Sequence, residues 1–522
     1  MSQNTSEGPY LMGIDYGTES CRVAIFDIQG RPVTFAATPY KTTHPRPGWA
    51  EQSPEEWWQA LQASCHKAMA ASGIQPHEIA GISYDATTMT VVAMNDRGDE
   101  LRPAIMWMDV RATEQAARAE GSNSVARKYN GDGTAPATAE WYPFKAAWLK
   151  ENEPETYHAA TKLVDAPDWI NFKLTGEWTT NINSAALRMY YNGNEGGWPT
   201  DFYETIGCGD VFDKIPEKVV DLGTPVGGLS TIAAQLMGLR AGTPVAQGPA
   251  DAWAGQIGLG VVEPGKMALI TGSSHVITGQ SDKEIHGKGF FGSYTDGVVK
   301  GQYTVEGGQV STGSVLKWFK DNFCPDIQIA ADTTGLNAYD LLNAKSKDIP
   351  IGSDGLIINE YFQGNRTPYT DSKARGIIWG LSLMHTPAHM YHAIQESVCY
   401  GTAHNLRAMT DAGFEVSEIV ACGGSTKSRD WMQMHADVTG VPITLTEVGD
   451  AVVLGSCMLA AVGAGIYPDI QEAAKNMVHS LDRLEPNQER HEEYQFYVDQ
   501  YCASYPQMQD LTHTVVDHES AK

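Results

Sequence analysis

Leu11–Asp27 reads LMGIDYGTESCRVAIFD, and Lys266–Thr278 reads KMALITGSSHVIT. Each is an apolar run, a cluster of Gly, Thr and Ser, and a second apolar run, the pattern of two strands joined by a tight turn. Taken singly, either stretch is an ordinary hairpin with a polar tip. The two lie one in each half of a 522-residue chain and share a design without close identity. That echo predicts a duplicated fold with phosphates clamped between the halves, because turn glycines expose N–H groups to an anion and hydroxyls add donors. In the first hairpin Gly17 exposes the backbone, Thr18 supplies a hydroxyl, and Asp15 is suited to a hydrated metal ion.

Between the hairpins lies Gly248–Gly258, GPADAWAGQIG. A strand at Thr243–Gln247 runs into it and an Ala/Gly-rich helix leaves it. Asp251 is the one carboxylate of this stretch, among residues small enough for a ligand to approach closely. Two roles are open to it: a helix cap, the usual work of an Asp at such a junction, or a base that takes a proton from a bound hydroxyl.

The length predicts two domains. A formal net charge of −26 argues against a nucleic-acid partner, but not against a small anion held by backbone N–H groups. None of the eight cysteines forms a C-x-x-C pair, as expected of a reduced setting. The opening residues MSQNTSEGPY are polar with no apolar signal core, and Ala451–Tyr467, the longest uncharged run, reads as a buried helix rather than a membrane span. A cytoplasmic protein without a membrane partner is expected.

Elsewhere the polar loop Asp85–Thr88 follows a strand, where α/β ligand clefts open. Asp109 and Arg111 read as a structural pair. Ala139–Asn152 and Lys162–Glu177 read as helices, the second stopped by Gly176. Arg188 falls in an apparent polar loop, Asn181–Gly197, where a lone Arg is usually only solvated. A helix through Gly313 and Lys317 follows Glu306–Gln309, and Gly423-Gly424 ends a strand where a flat ring or ribose can lie on backbone. His385, His389 and His392 have metal-like spacing but no H-E-x-x-H pattern, and read as core or surface histidines. Tyr494, Tyr497 and Tyr501 form a docking face, and fraying is expected beyond Pro506.

Together these stretches resemble the FGGY family of carbohydrate kinases, from about Tyr10 to Tyr505. The most specific piece is Gly376–Met390, similar to the family's second signature, G-x-I-x-G-L and then His389-Met390. Gly48-Trp49 to Trp58, Trp107-x-Asp109-x-Arg111 and Gly364–Pro368 add to it. Within the family, Tyr84–Thr87, Ala139–Pro143 with Lys145, and Val305–Gln309 are most similar to ribulokinases.

The resemblance implies an α/β, two-domain actin-like ATPase fold (a duplicated ribonuclease H-like fold) with a cleft between the domains. It implies an N-terminal sugar- and phosphate-binding domain over 10–258, a C-terminal nucleotide-binding domain over 259–505, and a frayed tail over 506–522. Asp251 is then the catalytic base, and Asp85, Thr87, Trp141, Arg188 and Glu306 contact the sugar. Thr18, Arg22, Gly272, Ser273, Gly313, Lys317, Gly424 and Ser428 serve ATP, and Asp15 meets Mg2+ through water. The implied reaction is ATP-dependent phosphorylation of a ketopentose at its terminal primary hydroxyl. Alternatives are the same chemistry on xylulose, glycerol or a tetritol, and a non-catalytic sugar or nucleotide sensor. The partners implied are a small sugar and ATP, with a homodimer as a possible assembly.

Overall fold

A computed structural model describes residues 8–134 and 136–522, so the opening stretch through residue 7 lies outside the described residues. In the first half, β1 (Tyr10–Tyr16), β2 (Ser20–Asp27), β3 (Pro32–Pro39), β4 (Ile79–Ala86), β5 (Pro225–Gly228) and β6 (Pro244–Ala246) form a sheet ordered β5-β6-β4-β1-β2-β3. The second half contributes β7 (Gly265–Thr271), β8 (His275–Ser281), β9 (Phe291–Thr295), β10 (Tyr303–Gln309), β11 (Val416–Gly423), β12 (Ile443–Thr446) and β13 (Ser480–Leu484). Their order is β9-β10-β8-β7-β11-β12-β13.

The two sheets correspond strand for strand. The series β3-β2-β1 is antiparallel, β1-β4-β6 is parallel, and β5 closes antiparallel. Likewise β10-β8-β7 is antiparallel, β7-β11-β12 is parallel, and β13 closes antiparallel. Only β9, on the outer edge, breaks the correspondence. The hairpins do repeat, with one difference in register: the first closes at Tyr16↔Cys21 and the second at Thr271↔His275, a turn one residue shorter.

Both faces of each sheet are covered, which is why the central strands read as continuous apolar runs. Met12, Ile14, Val23 and Ile25 pack with Trp57, Leu61 and Cys65 of the helix Pro54–Ser72, which is capped by Ser53. The opposite face, through Leu11, Ala24 and Phe26, packs with Val453, Leu454 and Cys457. Each Met, Ile, Val, Leu or Phe among them contributes about 1.5–3 kcal/mol on leaving water.

Those last three residues belong to a helix from late in the chain. With α1 as Asp251–Gly258, α2 as Gly313–Phe323, α3 as Ala451–Gly463 and α4 as Gln488–Ser520, α3 returns to the first sheet and packs on β1, β4 and α1. The contact is backbone on backbone. A Cβ on Gly258 would stand 1.8 Å from the Ala451 carbonyl oxygen, and one on Gly455 would stand 1.9 Å from that of Ala254. The Gly/Ala-rich run is therefore a close-packed junction between the two halves.

Three local expectations are corrected. Lys162–Glu177 is a strand, Lys162–Asp165, followed by a helix, Ala166–Thr175, that Asp165 caps; Gly176 does end it. Arg188 is in a helix, Ile182–Arg188, because the Asn181 side chain accepts from Ser184 N at 2.7 Å and starts one. The tail does not fray: α4 runs through Pro506 to Ser520. The Cys502 carbonyl that Pro506 cannot reach accepts from Tyr369 at 3.4 Å, and Tyr505, Gln509 and His513 all bond Asp371, at 2.6, 3.0 and 2.7 Å. The three histidines serve local structure: His389 closes a capping box with Thr386, and His392 meets Ser353 at 2.9 Å. All eight cysteines are free. Among the described residues no helix is long and apolar enough to cross a membrane.

Candidate active site

Two cavities of about 420 Å³ each contain nearly every expected site residue. Asp15, Thr18, Arg22, Thr87, Trp141, Arg188, Asp251 and Glu306 line the first, and Gly272, Ser273, Gly313, Lys317, Gly424 and Ser428 line the second. The second hairpin separates them. Ser273 faces the second cavity and Ser274 the first, so one turn borders both. Thr18 and Arg22 line the same cavity as Ser274.

Asp85 is the exception. It sits on β4 directly beside Asp15 of β1, fully buried, and its Oδ2 accepts from Ser456 of α3 at 2.6 Å. Burial and the neighbouring Asp15 hold its carboxyl well above the usual range. It therefore backs the cavity without lining it and is not placed to touch a sugar. The polar loop was visible in the sequence, but not that Asp85 still lies within the strand under the Ser456 hydroxyl of α3, while Thr87, past the strand end at Ala86, reaches the cavity.

Charge converges at the cavity floor. Arg22 bonds Asp15, its register partner on β1, and also Asp450 at 2.9 Å, at the start of α3. Asp251 opens α1 and is half-buried; its Oδ1 accepts from Ala252 N at 2.7 Å. The N-cap position falls on Ala250, so Asp251 is the first helical residue and not the cap, and it lines the cavity. Burial first, and the Asp15 charge second, push it up to about 7, against the pull of the Ala252 N–H and Arg22. Asp15 Oδ1 is buried without a partner. Among the described residues no group of three or more His, Cys, Asp or Glu is placed to enclose a metal. The donor set fits an ion that keeps most of its waters, as magnesium does.

Across the cavity Arg188 and Glu306 pair at 2.5 Å, both nearly buried, and Arg188 also bonds Tyr294. The rings of Trp141, Trp253, Phe291 and Tyr294 surround the guanidinium, 5.5–5.9 Å from its carbon. The expected solvated arginine is instead 6% exposed and held by an aromatic cage. Its Nε has no partner.

Lys145 stands in the ribulokinase-like segment, where the sequence assigns it no role. Lys145 is fully buried, and its Nζ donates to the carbonyls of Met89, Met106 and Trp107 at 2.9, 2.6 and 3.1 Å. Met89 and Trp107 are cavity walls, and Trp107 Nε1 donates to Thr18 Oγ1 at 3.1 Å. Burial lowers the lysine to about 7; three carbonyls in reach match the three donors of the ammonium form. Asp450 gave no signal, since its partner is 428 residues away.

In the second cavity, Thr312 N and Ser314 N donate to Ser273 O at 2.9 and 3.2 Å and fasten the turn to the start of α2. Gly313 is required there: a Cβ would stand 2.5 Å from the Gly272 carbonyl oxygen. Gly424 meets nothing within 4 Å, which leaves an open floor. Lys317 is at the rim, paired with Asp321, and Ser428 caps the helix Arg429–Thr439.

Paired sheets, a ring-caged Arg–Glu pair beside an acid, and a glycine-bordered second cavity define a two-domain sugar-kinase architecture. The chain belongs to the FGGY family of carbohydrate kinases, whose N-terminal domain model matches residues 10–258 and whose C-terminal domain model matches residues 267–464. It is 32% identical to the FGGY carbohydrate kinase domain-containing protein of Xenopus laevis, over 96% of each chain. It is 30% identical to a ribulokinase of Anoxybacillus flavithermus, over 90% of this chain and 89% of that one. Among solved structures, the xylulose kinase from Rhodospirillum rubrum superimposes with a TM-score of 0.85 at 26% identity, covering 97% of this chain and 100% of that one.

Proposed function

We propose that the protein phosphorylates a ketopentose of the ribulose type at its terminal primary hydroxyl, with ATP as donor and Asp251 as general base. The observation that carries this is a carboxyl raised to about 7 at the floor of a polar cavity, beside a turn shared with the second cavity. A base poised near the working pH is suited to proton abstraction from a hydroxyl. In the reaction the hydroxyl O–H bond breaks and its proton goes to Asp251. The sugar oxygen forms a bond to the γ-phosphorus, and the P–O bond to the leaving ADP breaks.

Thr18, Arg22, Gly272 and Ser273 hold the phosphates, while Gly313, Lys317, Gly424 and Ser428 bound the nucleotide. Mg2+, held by Asp15 through water, would neutralise phosphate charge. Thr87, Trp141, Arg188 and Glu306 contact the sugar. A fixed Arg–Glu pair suits a substrate rich in hydroxyls, because an analogue lacking one leaves buried polar groups unmatched.

The ribulokinase relative supports ribulose. The xylulose kinase structure favours a second reading, the same chemistry on xylulose. The test is ADP formation with Mg-ATP across ribulose and xylulose isomers, glycerol and a tetritol, for wild type and Asp251→Asn. One ribulose isomer should turn over, with kcat lower by about two to four decades in the variant. Full kcat in a folded Asp251→Asn protein would refute the base. Sugar binding without any ADP release would point to a sensor.

A further inference from the structure

Three guanidinium groups line the first cavity, those of Arg22, Arg188 and Arg366. Two of them are matched within the fold. Arg22 is bonded to Asp15 and Asp450, and Arg188 to Glu306 and Tyr294 inside its cage. Arg366 differs. It is half-buried, and among the described residues no acid, carbonyl or aromatic ring holds its guanidinium.

Its backbone, by contrast, is fixed on both sides. Thr367 N donates to Gly308 O, and the Thr367 hydroxyl accepts from Gly308 N, each at 3.3 Å, which ties the segment to β10. Thr370 N donates to Arg366 O at 2.9 Å, and Asn365 Nδ2 donates to Thr367 O at 3.1 Å. A rigid base under an unbonded head is the arrangement of a donor prepared for a ligand.

The head lies over Gly308, where a Cβ would come 3.7 Å from its Nη1. Gly308 pairs with Val276 of β8, two residues past Ser274 of the turn; Glu306, paired with Thr278, lies two residues further from it. Arg366 thus stands between the turn assigned to the phosphates and the acid assigned to the sugar. Asp15, Glu140, Asp251 and Glu306 line the same cavity, so an incoming phosphate meets carboxylates whose repulsion a free cation offsets.

We propose that Arg366 is a further catalytic residue, which donates to the oxygens of the phosphoryl group as it passes from ATP to the sugar. This rests on the kinase reading above, not on which sugar is taken. The sugar oxygen bonds to phosphorus, the P–O bond to ADP breaks, and the hydroxyl proton goes to Asp251. Arg366 stays protonated throughout. Transition-state charge resides on the phosphoryl oxygens, and a planar fork can meet two of them at once.

The test compares wild type with Arg366→Met and Arg366→Lys. Kinetics are measured on whichever sugar of the panel turns over, and Mg-ADP binding with and without aluminium fluoride, a mimic of the phosphoryl group in transfer. The guanidinium holds nothing in the fold, so melting is expected to be unchanged. Arg366→Met should lower kcat about a hundredfold or more and move either KM by less than about threefold. Affinity for ADP with aluminium fluoride should fall by a similar factor while affinity for ADP alone does not. Arg366→Lys, which keeps the charge without the fork, should retain more of both. An unchanged kcat, a loss confined to the sugar KM, or an equal loss of ADP affinity with and without fluoride each overturns the proposal. The fluoride measurement stands even where no sugar of the panel is accepted. Full kcat in Asp251→Asn would refute the base and leave Arg366 in place.

Discussion

Asp251 meets two demands at one position: its Oδ1 holds an N–H of the helix it begins, and its carboxyl faces a cavity where burial and Asp15 resist ionisation. If it is the base, kcat/KM should rise with pH with a midpoint near 7 and flatten above it, because the charged form is the one that accepts a proton. An activity flat from pH 5.5 to 8.5 would remove it from that role. Lys145 acts at one remove, as a positioning residue. It is expected to hold the Met89 and Trp107 walls in register, since each lost carbonyl partner leaves a buried acceptor worth about 1–3 kcal/mol. Lys145→Met should raise the sugar KM about tenfold or more and leave the ATP KM unchanged, and Lys145→Arg should not rescue it, because a planar fork cannot aim three donors at one point. Equal changes in both KM values would mark a general loss of fold instead. The hairpin residues Asp15 and Thr18 were legible from local pattern, because polar side chains and glycines at strand ends announce themselves, whereas Arg22, Trp141, Arg188 and Glu306 were reached through resemblance to the family. Asp85 misled for a physical reason: it is covered by Ser456, 371 residues further along the chain, and a local loop motif does not report what will pack over it.

Among the elements, α1 and α3 carry the sharpest constraint. Their crossing leaves no room for side chains at Gly258 and Gly455, so the helix that begins with Asp251 is held directly on the helix that begins beside Asp450. Gly455→Val should lower the thermal midpoint and weaken turnover together, with a destabilisation of about 1–3 kcal/mol or more from overpacking. A variant with unchanged melting and kcat would show that the junction yields. The composition of Ala451–Tyr467 announced a buried helix, but not its partner. The tail shows the opposite case. Pro506 is a sound local stop signal, overridden because Tyr369 and Asp371 supply the bonds that local sequence cannot foresee.

For the whole molecule, duplication is the organising fact. Two hairpins of like design predicted two like sheets, and the strand orders agree save for β9. Alternation of apolar and polar residues, turn chemistry and composition are local properties, so the sequence by itself determined the hairpins and the echo between halves, while the base and the glycine borders of the second cavity came from resemblance to the family. Tertiary structure alone decided that α3 returns to the first sheet, that Asp85 faces inward and that Arg188 is caged by four rings. It also decided that Arg22 joins Asp15, 7 residues away, to Asp450, 428 residues away. Those outcomes depend on which distant surfaces bury one another, and burial is a property of the packed chain, not of any stretch of it.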